Sequence, residues 1–293
     1  MTHPPNPFHA KRLTKYRWTI IGAIAIAATA ISAWLLLNSS KDEAWERIQQ
    51  RGVITFATDP TYPPFGALDA NGDFFGFDID LARAIAGRLG LKAEFEAVSY
   101  DGLIGTLVTQ RDDAVISAWV IQPERGREAS FTPSYFNAGV LLITRSDVNV
   151  TQDDILRYKW QAGKTLAVEY GSTGDALIRK WSRLVAGLKP VSSTDAAAAM
   201  QAVEDGSADG ALVDAVAAYD YLRRDVPPER LYKLKVAASI PEAEAPYVIA
   251  VSVKSTVLLR ELTRALYEME ADGRLGELRV KWFGEEARGN AER

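Results

Sequence analysis

The feature that most constrains the fold is an alternation of short apolar runs with amphipathic helical patterns, which occurs twice along the chain. The first series has strand-like runs at 53–57, 93–98, 114–118 and 139–144, with helical patterns at 80–89 and 100–109. The second series has strand-like runs at 165–168, 210–213, 231–237 and 247–253, with helical patterns at 175–184, 196–203, 215–223, 256–271 and 274–284. Such alternation favours a parallel-rich sheet with helices on both faces. Because it occurs twice, we predict an α/β protein with two lobes, each with its own sheet.

The composition is that of a globular protein and excludes several kinds of site. Hydrophobic residues make up 47% of the chain and charged residues 25%, which is typical of a folded protein. The net charge of −4 provides no basic surface for nucleic acid. There is no cysteine, and the two histidines are His3 and His9 in the N-terminal tail. Thiolate sites, disulfides and His-based sites are therefore excluded from the folded part. We expect no metal, no cofactor and no catalytic residue.

The N-terminal segment predicts an extracytoplasmic protein. Residues 1–18 are polar and carry four basic side chains, whereas residues 19–37 contain no charge. A helix of that length, at about 1.5 Å per residue, nearly spans a hydrocarbon core of about 30 Å, and its basic flank stays in the cytoplasm. We predict a cytoplasmic tail at 1–18 and a transmembrane anchor at 19–38, which would hold the chain on the periplasmic or extracellular face of the cytoplasmic membrane. A signal sequence cleaved after Ala30 is the alternative.

Short motifs in both halves of the chain resemble those of a known family. The first half contains Asp59-Pro-Thr-Tyr62-Pro-Pro-Phe65, Gly76-Phe-Asp-Ile-Asp-Leu-Ala82, Pro123-Glu-Arg125 and Phe131-Thr-Pro-Ser-Tyr135. The second half contains Gly171-Ser-Thr173 and Ala208-Asp-Gly-Ala-Leu-Val-Asp214. Each motif is weak alone, but their order and spacing resemble those of the family-3 extracellular solute-binding proteins, the polar amino-acid receptors of ABC importers. The resemblance covers about residues 45–285.

The resemblance implies a two-lobed clamp of the type II periplasmic-binding-protein kind. Lobe 1 would comprise 44–140 and 245–286, and lobe 2 would comprise 141–244. A polar amino acid or a close analogue would bind in the cleft, and the lobes would close over it by hinge motion. The expected partners are this ligand, an ABC transporter permease and the membrane, which the N-terminal helix would enter. The receptor is expected to be a monomer that binds no nucleic acid.

Two charged residues are the main candidates for holding a zwitterionic ligand. Arg125 carries a planar guanidinium that can donate two hydrogen bonds to a carboxylate, and the resemblance implies this role. Asp214 ends an apolar run, and the resemblance makes it the partner of the ligand's ammonium group. Each residue also has a simpler interpretation. Arg125 has charged neighbours, as a surface arginine would, and Asp214 precedes a helix that it could cap.

Seven further residues complete the predicted ligand site. Ser172 and Thr173 open a helix whose free N–H groups favour an anion, although such residues also cap helices. Asp59 is expected to provide an acidic side chain and Ser117 a polar contact. The aromatic walls are expected from Tyr62, Tyr100 and Trp119. Core packing is the alternative for the aromatic residues, and a simple Asp-Pro turn is the alternative for the acid. Glu169, just before the anion-binding turn, could meet a basic ligand side chain.

The chain departs from the family pattern close to Arg125. Val120 stands where the family has a Ser or Thr whose hydroxyl contacts the ligand. A hydrogen bond of this kind contributes about 0.5–1.5 kcal/mol, so its loss does not abolish binding but leaves the identity of the ligand open.

Two other functions fit the same fold. Cyclohexadienyl dehydratases resemble these receptors throughout, and Asp175 stands at about the position of their acid. A proton donor needs a raised pKa, whereas the start of a helix stabilises a charged carboxylate, which opposes this hypothesis. The remaining possibility is a ligand-sensing domain for a membrane signalling partner.

Overall fold

The computed structural model describes residues 43–121, 127–224 and 234–290. The predicted cytoplasmic tail and membrane anchor at 1–38 and the predicted ligand-binding Arg125 lie outside these described residues. Within the described ranges, every helix is too short or too polar to cross a membrane.

The first part of the chain builds most of one α/β lobe. Its elements, in order, are α1 (Glu43–Arg51), β1 (Val53–Thr58), β2 (Thr61–Tyr62), β3 (Gly66–Leu68), β4 (Phe74–Phe75), α2 (Phe77–Arg88), β5 (Lys92–Ala97), α3 (Leu103–Val108), β6 (Ala114–Val115), β7 (Ala129–Phe131) and β8 (Phe136–Asn137). A short 3-10 turn at Tyr100–Gly102 precedes α3. The three strands β2, β3 and β4 form a small antiparallel sheet of their own.

The middle of the chain builds the second lobe. Its elements are β9 (Val140–Arg145), α4 (Gln152–Leu156), β10 (Thr165–Glu169), α5 (Thr173–Trp181), β11 (Lys189–Ser193), α6 (Ala196–Glu204), β12 (Gly210–Asp214), α7 (Ala215–Arg223) and β13 (Leu234–Ser239). The strand order is β11-β10-β12-β9-β13. The first three strands are parallel, and β9 is antiparallel to both of its neighbours.

The end of the chain returns to the first lobe. It adds β14 (Pro246–Tyr247), β15 (Ala250–Ser252), α8 (Thr256–Ala271) and α9 (Arg274–Phe283). The strand order of the first sheet is β5-β1-β6-β15-β7. Strands β5, β1 and β6 are parallel, and β15 is antiparallel to both β6 and β7. In each five-stranded sheet, three neighbouring strands are thus parallel, as the alternation predicted. The other two strands of each sheet pair in antiparallel fashion, which the alternation did not indicate.

Helix α2 shows how the apolar pattern positions the first lobe. Its buried positions recur three and four residues apart, which places them on one face, and they include Leu81, Ala82, Ile85 and Ala86. This face packs into the same core as the buried strand residues Ile54 and Phe56 of β1. Fully burying one large aliphatic side chain contributes about 1.5–3 kcal/mol, so this face anchors the helix to the sheet.

Two crossings join the lobes, and one asparagine ties both together. Strands β8 and β14 pair beside the crossings, and the side-chain oxygen of Asn137 accepts hydrogen bonds from Gly139 N (3.0 Å) and Ala245 N (2.9 Å). Asn290, which is buried, accepts from Asn137 N (2.6 Å) and donates to the Tyr219 hydroxyl on α7 (3.0 Å). A residue near the C-terminus therefore contacts both the hinge and the second lobe.

The carboxyl ends of the parallel strands indicate where a ligand would bind. In the first lobe, β1 leads into Asp59 and β6 leads into Ser117. In the second lobe, β10 ends at Glu169 and β12 ends at Asp214. Ligands of open α/β sheets bind outside such ends, so these four residues mark the candidate site.

Candidate functional site

A cavity of about 360 Å³ lies at the carboxyl ends of the first sheet. It is lined by Asp59, Thr61, Tyr62, Tyr100, Ser117, Ala118, Val120 and Tyr247. Four residues predicted from the sequence are therefore brought together here: Asp59, Tyr62, Tyr100 and Ser117. They come from three separate segments of the chain, which meet because β1 and β6 are neighbours in the sheet.

Hydrogen bonds within the first lobe fix the acidic wall of this cavity. One oxygen of Asp59 accepts from Thr61 N (3.1 Å) and Thr61 Oγ1 (2.7 Å), and the other accepts from Tyr100 N (2.8 Å). The backbone N–H of Asp59 donates to Ser117 Oγ (2.9 Å). The three segments that line the cavity are thus joined through one residue, and its carboxylate keeps a fixed orientation.

Two aromatic walls stand in the cavity, and a second ring supports each of them. Tyr62 is 49% exposed and stacks on buried Phe65, with 5.6 Å between ring centroids. Tyr100 is 37% exposed and stacks on Trp119 at 4.7 Å. Trp119 itself is fully buried. The sequence predicts Trp119 as part of the aromatic wall of the site. In the structure, Trp119 instead packs behind the Tyr100 ring and has no exposed surface for a ligand.

A larger cavity of about 720 Å³ continues from the first and connects the two lobes. Tyr62 and Tyr247 line both cavities, so the two cavities adjoin at these rings, and together they are called the cleft. The larger cavity also reaches the hinge residues Ala138 and Ala245, and it includes Asp214 from the second lobe. Asp214, the predicted ammonium partner, therefore lines the same cavity as the Tyr62 ring, whereas Tyr100 lines the smaller cavity beside it.

Asp214 provides a carboxylate in this cleft that has no ion-pair partner among the described residues. It stands at the N-terminal boundary of α7, but its side chain makes no capping hydrogen bond. Burial raises the pKa of its carboxyl group, and the nearby charge of Glu169 raises it further. The capping interpretation is thus not supported, and two neighbouring carboxylates at the ends of β10 and β12 are left for a positively charged group.

The turn at the start of α5 is well ordered by its own side chains. Ser172 is the N-cap of the helix, and its hydroxyl accepts a hydrogen bond from Asp175 N (3.2 Å). Thr173 is the first helical residue and is exposed. Gly174 packs tightly below it, because a Cβ at that position would lie 2.6 Å from the carbonyl oxygen of Leu212. Capping by Ser172 is thus present, and a ligand contact at Ser172 and Thr173 stays a prediction.

Asp175 has the wrong electrostatics for a proton donor. Its oxygens accept hydrogen bonds from the Arg179 guanidinium (3.0 Å) and from Gly171 N (3.0 Å). The Arg179 bond, followed by the Gly171 bond, lowers the pKa of Asp175. A general acid needs a raised pKa, so the structure does not favour the dehydratase hypothesis.

Tyr247 is a cleft-lining residue that sequence reasoning missed. Tyr247 lies on the hinge strand β14, lines both cavities, and is 7% exposed. Burial and the neighbouring Tyr62 raise the pKa of its phenol. Val120 bridges to it across the cavity wall, so an aliphatic side chain lines the position where the family hydroxyl was expected. A two-residue strand that follows a lobe crossing has no periodicity that could have identified Tyr247.

Comparison with known sequences agrees with this geometry. The family described as bacterial extracellular solute-binding proteins, family 3, matches residues 54–285. The chain is 29% identical over 269 residues to the L-cystine-binding protein TcyA of Bacillus subtilis (strain 168), covering 90% of this chain and 95% of that protein. It is 30% identical over 230 residues to the ABC transporter arginine-binding protein 1 of Escherichia coli (strain K12), covering 78% and 90% of the two chains.

Comparison with solved structures agrees as well. The L-cystine solute receptor of Neisseria gonorrhoeae, in its unliganded open conformation, matches with a TM-score of 0.68 and 26% identity over 83% of this chain and 97% of that chain. An ancestral cationic amino acid solute-binding protein matches with a TM-score of 0.55 and 30% identity over 81% and 98%. These similarities confirm the two-lobed α/β fold and the family resemblance predicted from the sequence.

Proposed function

The chain belongs to the family-3 bacterial extracellular solute-binding proteins, and on this basis we propose that it binds a polar amino acid between its lobes and delivers it to an ABC importer. The observation that carries the proposal is the cleft itself. Asp214 of the second lobe lines it, with the charge of Glu169 nearby, and the exposed rings of Tyr62 and Tyr100 line its other side. An ammonium group would compensate the negative charge of Asp214, which is exposed at the cleft and lies near the like charge of Glu169.

The ligand class follows from the position of the acidic groups. The two relatives bind L-cystine and arginine, which share one chemical property: each has an α-ammonium group and a second cationic group at the far end of a flexible chain. The cleft offers carboxylates in both lobes, Asp59 in the first and Asp214 with Glu169 in the second. The aromatic faces between them suit a cation. We infer that the ligand is an amino acid with a second cationic group.

Arg125 is proposed to bind the ligand's carboxylate, as the family resemblance implies. It lies outside the described residues, four positions after Ile121, and Val120, just before Ile121, lines the first cavity. Among the described residues that line the larger cavity, Arg223 is a cation, but its guanidinium is paired with Asp220 (3.3 Å). The ligand's carboxylate therefore needs a cationic partner of its own. Ser172 and Thr173 are proposed to present backbone N–H groups to the same carboxylate from the second lobe.

The proposed location is the outer face of the cytoplasmic membrane. It rests on the uncharged segment at 19–37, which lies outside the described residues. An uncleaved anchor and a cleaved signal sequence predict different products in the native host. Intact-mass measurement of the native protein distinguishes them, because the anchored form retains the N-terminal segment and fractionates with membranes, whereas the cleaved form is shorter and is released with the periplasm.

Isothermal calorimetry tests the proposed function. Purified protein is unfolded and refolded to remove carried-over ligand and is titrated with L-arginine, L-lysine, L-ornithine and L-cystine, with L-leucine and L-glutamate as matched controls. We expect about micromolar or tighter binding of at least one of the first four and much weaker binding of both controls. The absence of binding by all six, or a preference for glutamate, would contradict the proposal.

A further inference from the structure

Asp78 is a buried carboxylate that lies behind the cleft without lining it. It is the second residue of α2 and has no exposed surface. Its Oδ2 accepts a hydrogen bond from Ala118 N at 2.6 Å, which is short for a bond from a backbone amide. The Tyr135 phenol lies beside the same carboxylate. Burying a carboxylate is costly, and an apolar residue of similar size is often as stable or more stable. This position therefore needs an explanation other than stability.

The residue that Asp78 holds is in an unfavourable backbone conformation. Ala118 has φ = 45°, in the left-handed region that residues other than glycine rarely adopt. Ala118 lines the first cavity together with its neighbours Ser117 and Val120. A strained backbone at a binding site persists only when the surroundings hold it in place, and here the acceptor for the Ala118 N–H is the buried side chain of Asp78.

The backbone of Asp78 also holds the opposite aromatic wall. Its N–H donates to the carbonyl oxygen of Phe65 (3.0 Å), and Phe65 is the ring on which Tyr62 stacks. This close approach requires Gly76, whose φ is 137° and where a Cβ would lie 2.0 Å from the same carbonyl oxygen. One residue therefore contacts two of the segments that line the cleft, one through its carboxylate and one through its amide.

We propose that Asp78 is a positioning residue for ligand binding, which holds Ala118 in its left-handed conformation and thereby sets the shape of the first lobe's half of the cleft. The effect on a ligand rests on the proposed function, whereas the contact that holds Ala118 rests on the ligand-free geometry alone. Asp78 does not contact the ligand. It acts through the backbone at Ser117 to Trp119, where the next bonds are Asp59 N to Ser117 Oγ (2.9 Å) and Val248 N to Trp119 O (2.9 Å).

The direct test is hydrogen exchange of the Ala118 amide in the full-length, ligand-free protein, measured by NMR. In wild type we expect strong protection. In Asp78→Leu, which removes the acceptor but keeps the volume, we expect exchange to accelerate by roughly a factor of ten or more. Equal protection in the two proteins would overturn the proposal. This readout needs no ligand, so it decides the inference even if the wild type binds no amino acid and the proposed function fails.

Binding provides the second readout, with L-arginine and L-cystine as the probes. Asp78→Leu should weaken affinity roughly five- to thirtyfold, which corresponds to the cost of a left-handed residue. Adding Ala118→Gly should recover most of that loss, because glycine adopts this conformation freely. A merely structural role predicts no such rescue. An Asp78→Leu protein that binds as tightly as wild type, or a double variant that recovers nothing, would contradict the proposal.

Two further variants keep the test decisive. Asp78→Asn retains an acceptor oxygen, so we expect the Ala118 amide to stay protected in this variant and its ligand affinity to lie within about threefold of wild type. Loss of that protection would overturn the proposal even if Asp78→Leu fails to fold.

Gln161→Leu is the matched control, since Gln161 is fully buried in the second lobe and donates a hydrogen bond to the Ile155 carbonyl (2.9 Å). It should lower stability while leaving Ala118 protected, and a loss of protection there would show that the effect is not specific.

Discussion

The two halves of the cleft differ in what their polar groups already contact. In the first lobe, the backbone N–H of Asp59 donates to the Ser117 hydroxyl, and the Asp59 side chain accepts from Tyr100 N. The Asp78 side chain accepts from the N–H of the strained Ala118. In the second lobe, Asp214 makes no capping hydrogen bond and lies near the like charge of Glu169. The first half is therefore organised before a ligand arrives, whereas the second half carries charge that a ligand would compensate. The comparison indicates that the first lobe mainly provides fixed shape, since Asp59 is already hydrogen-bonded, whereas the second lobe provides most of the attraction for a cation.

The largest expected effect comes from removing the buried ring that supports the first lobe's wall. Trp119→Ala should cost about 3–5 kcal/mol of unfolding free energy, because it leaves a large cavity, and it should weaken binding as well because Tyr100 loses its support. Chemical denaturation and calorimetry measure the two effects. Trp181→Ala, a buried tryptophan of the second lobe, is the matched control and should lose similar stability with a smaller change in affinity. Equal losses of affinity in the two variants would show that Trp119 has no specific role in shaping the cleft.

The next effect separates binding from stability in a single variant. Asp214→Asn should weaken ligand binding by about 2–5 kcal/mol, since the exposed Asp214 becomes buried against the ligand's ammonium on binding and one partner of that pair is then lost. The same variant should be more stable without ligand at pH 7. The folded-state pKa of Asp214 is raised, so the folded protein holds this proton at pH values where the unfolded chain has released it, and above that window the carboxylate destabilises the fold. Thermal unfolding of both proteins at pH 7 and at pH 3 checks this.

A control for Asp214 exists at the other end of the same strand. Asp209 precedes β12 and is paired with Lys164 (3.1 Å) and Thr165 N (2.8 Å). Asp209→Asn should lower stability and leave affinity unchanged, which is the reverse of the Asp214 result. A loss of affinity in Asp209→Asn, or unchanged affinity in Asp214→Asn, would contradict the assignment of charge attraction to the carboxyl end of the strand.

Truncating the exposed ring of the first lobe should have a smaller effect. Tyr100→Ala removes a wall and a stacking partner, and a contact of that kind is worth about 0.5–1.5 kcal/mol beyond its buried area. Affinity measured by calorimetry should fall by roughly threefold to tenfold, whereas Tyr100→Phe should bind nearly as well as wild type because the ring is kept. An equal loss in both variants would assign the contribution to the hydroxyl instead.

The smallest effect is a shift in pH dependence. The ligand's ammonium prefers ionised Asp214, so affinity should fall as the pH is lowered through the raised pKa of this carboxyl group. Glu169→Gln removes the charge that contributes to that increase, and the fall in affinity should move to lower pH. Calorimetry from pH 4 to pH 8 measures both profiles. Identical profiles would show that the two carboxylates do not act together in the cleft.

The parts of the site that sequence could predict are those that follow strand ends. Asp59 and Ser117 in the first lobe and Glu169 and Asp214 in the second lie where parallel strands finish, and the alternation of strands and helices places such ends at one edge. The family resemblance then predicts which of them bind a ligand, and that part stays a prediction. The burial of Trp119 could not be predicted from the sequence. The apolar pattern around it is the same whether its ring lines the cleft or packs behind Tyr100.

Other parts depend on contacts between distant segments. The small sheet of β2, β3 and β4 has strands of two or three residues, which are too short to show a period. Tyr247 enters the cleft only because β14 returns beside β8 after the whole second lobe. Asp78 has the appearance of an ordinary acidic residue in the first turn of a helix, and its role emerges only from the bond to Ala118, forty residues later.

The most direct test of the central claim is a thermodynamic cycle between Asp214 and the ligand's α-ammonium group. Calorimetry compares wild type and Asp214→Asn, each titrated with the best-binding amino acid and with its N-acetyl analogue, which lacks that charge. We predict that acetylation costs wild type about 2 kcal/mol or more beyond what it costs the variant. Equal costs in both proteins would show that Asp214 does not bind the ammonium group, and would contradict the assignment of attraction to the second lobe.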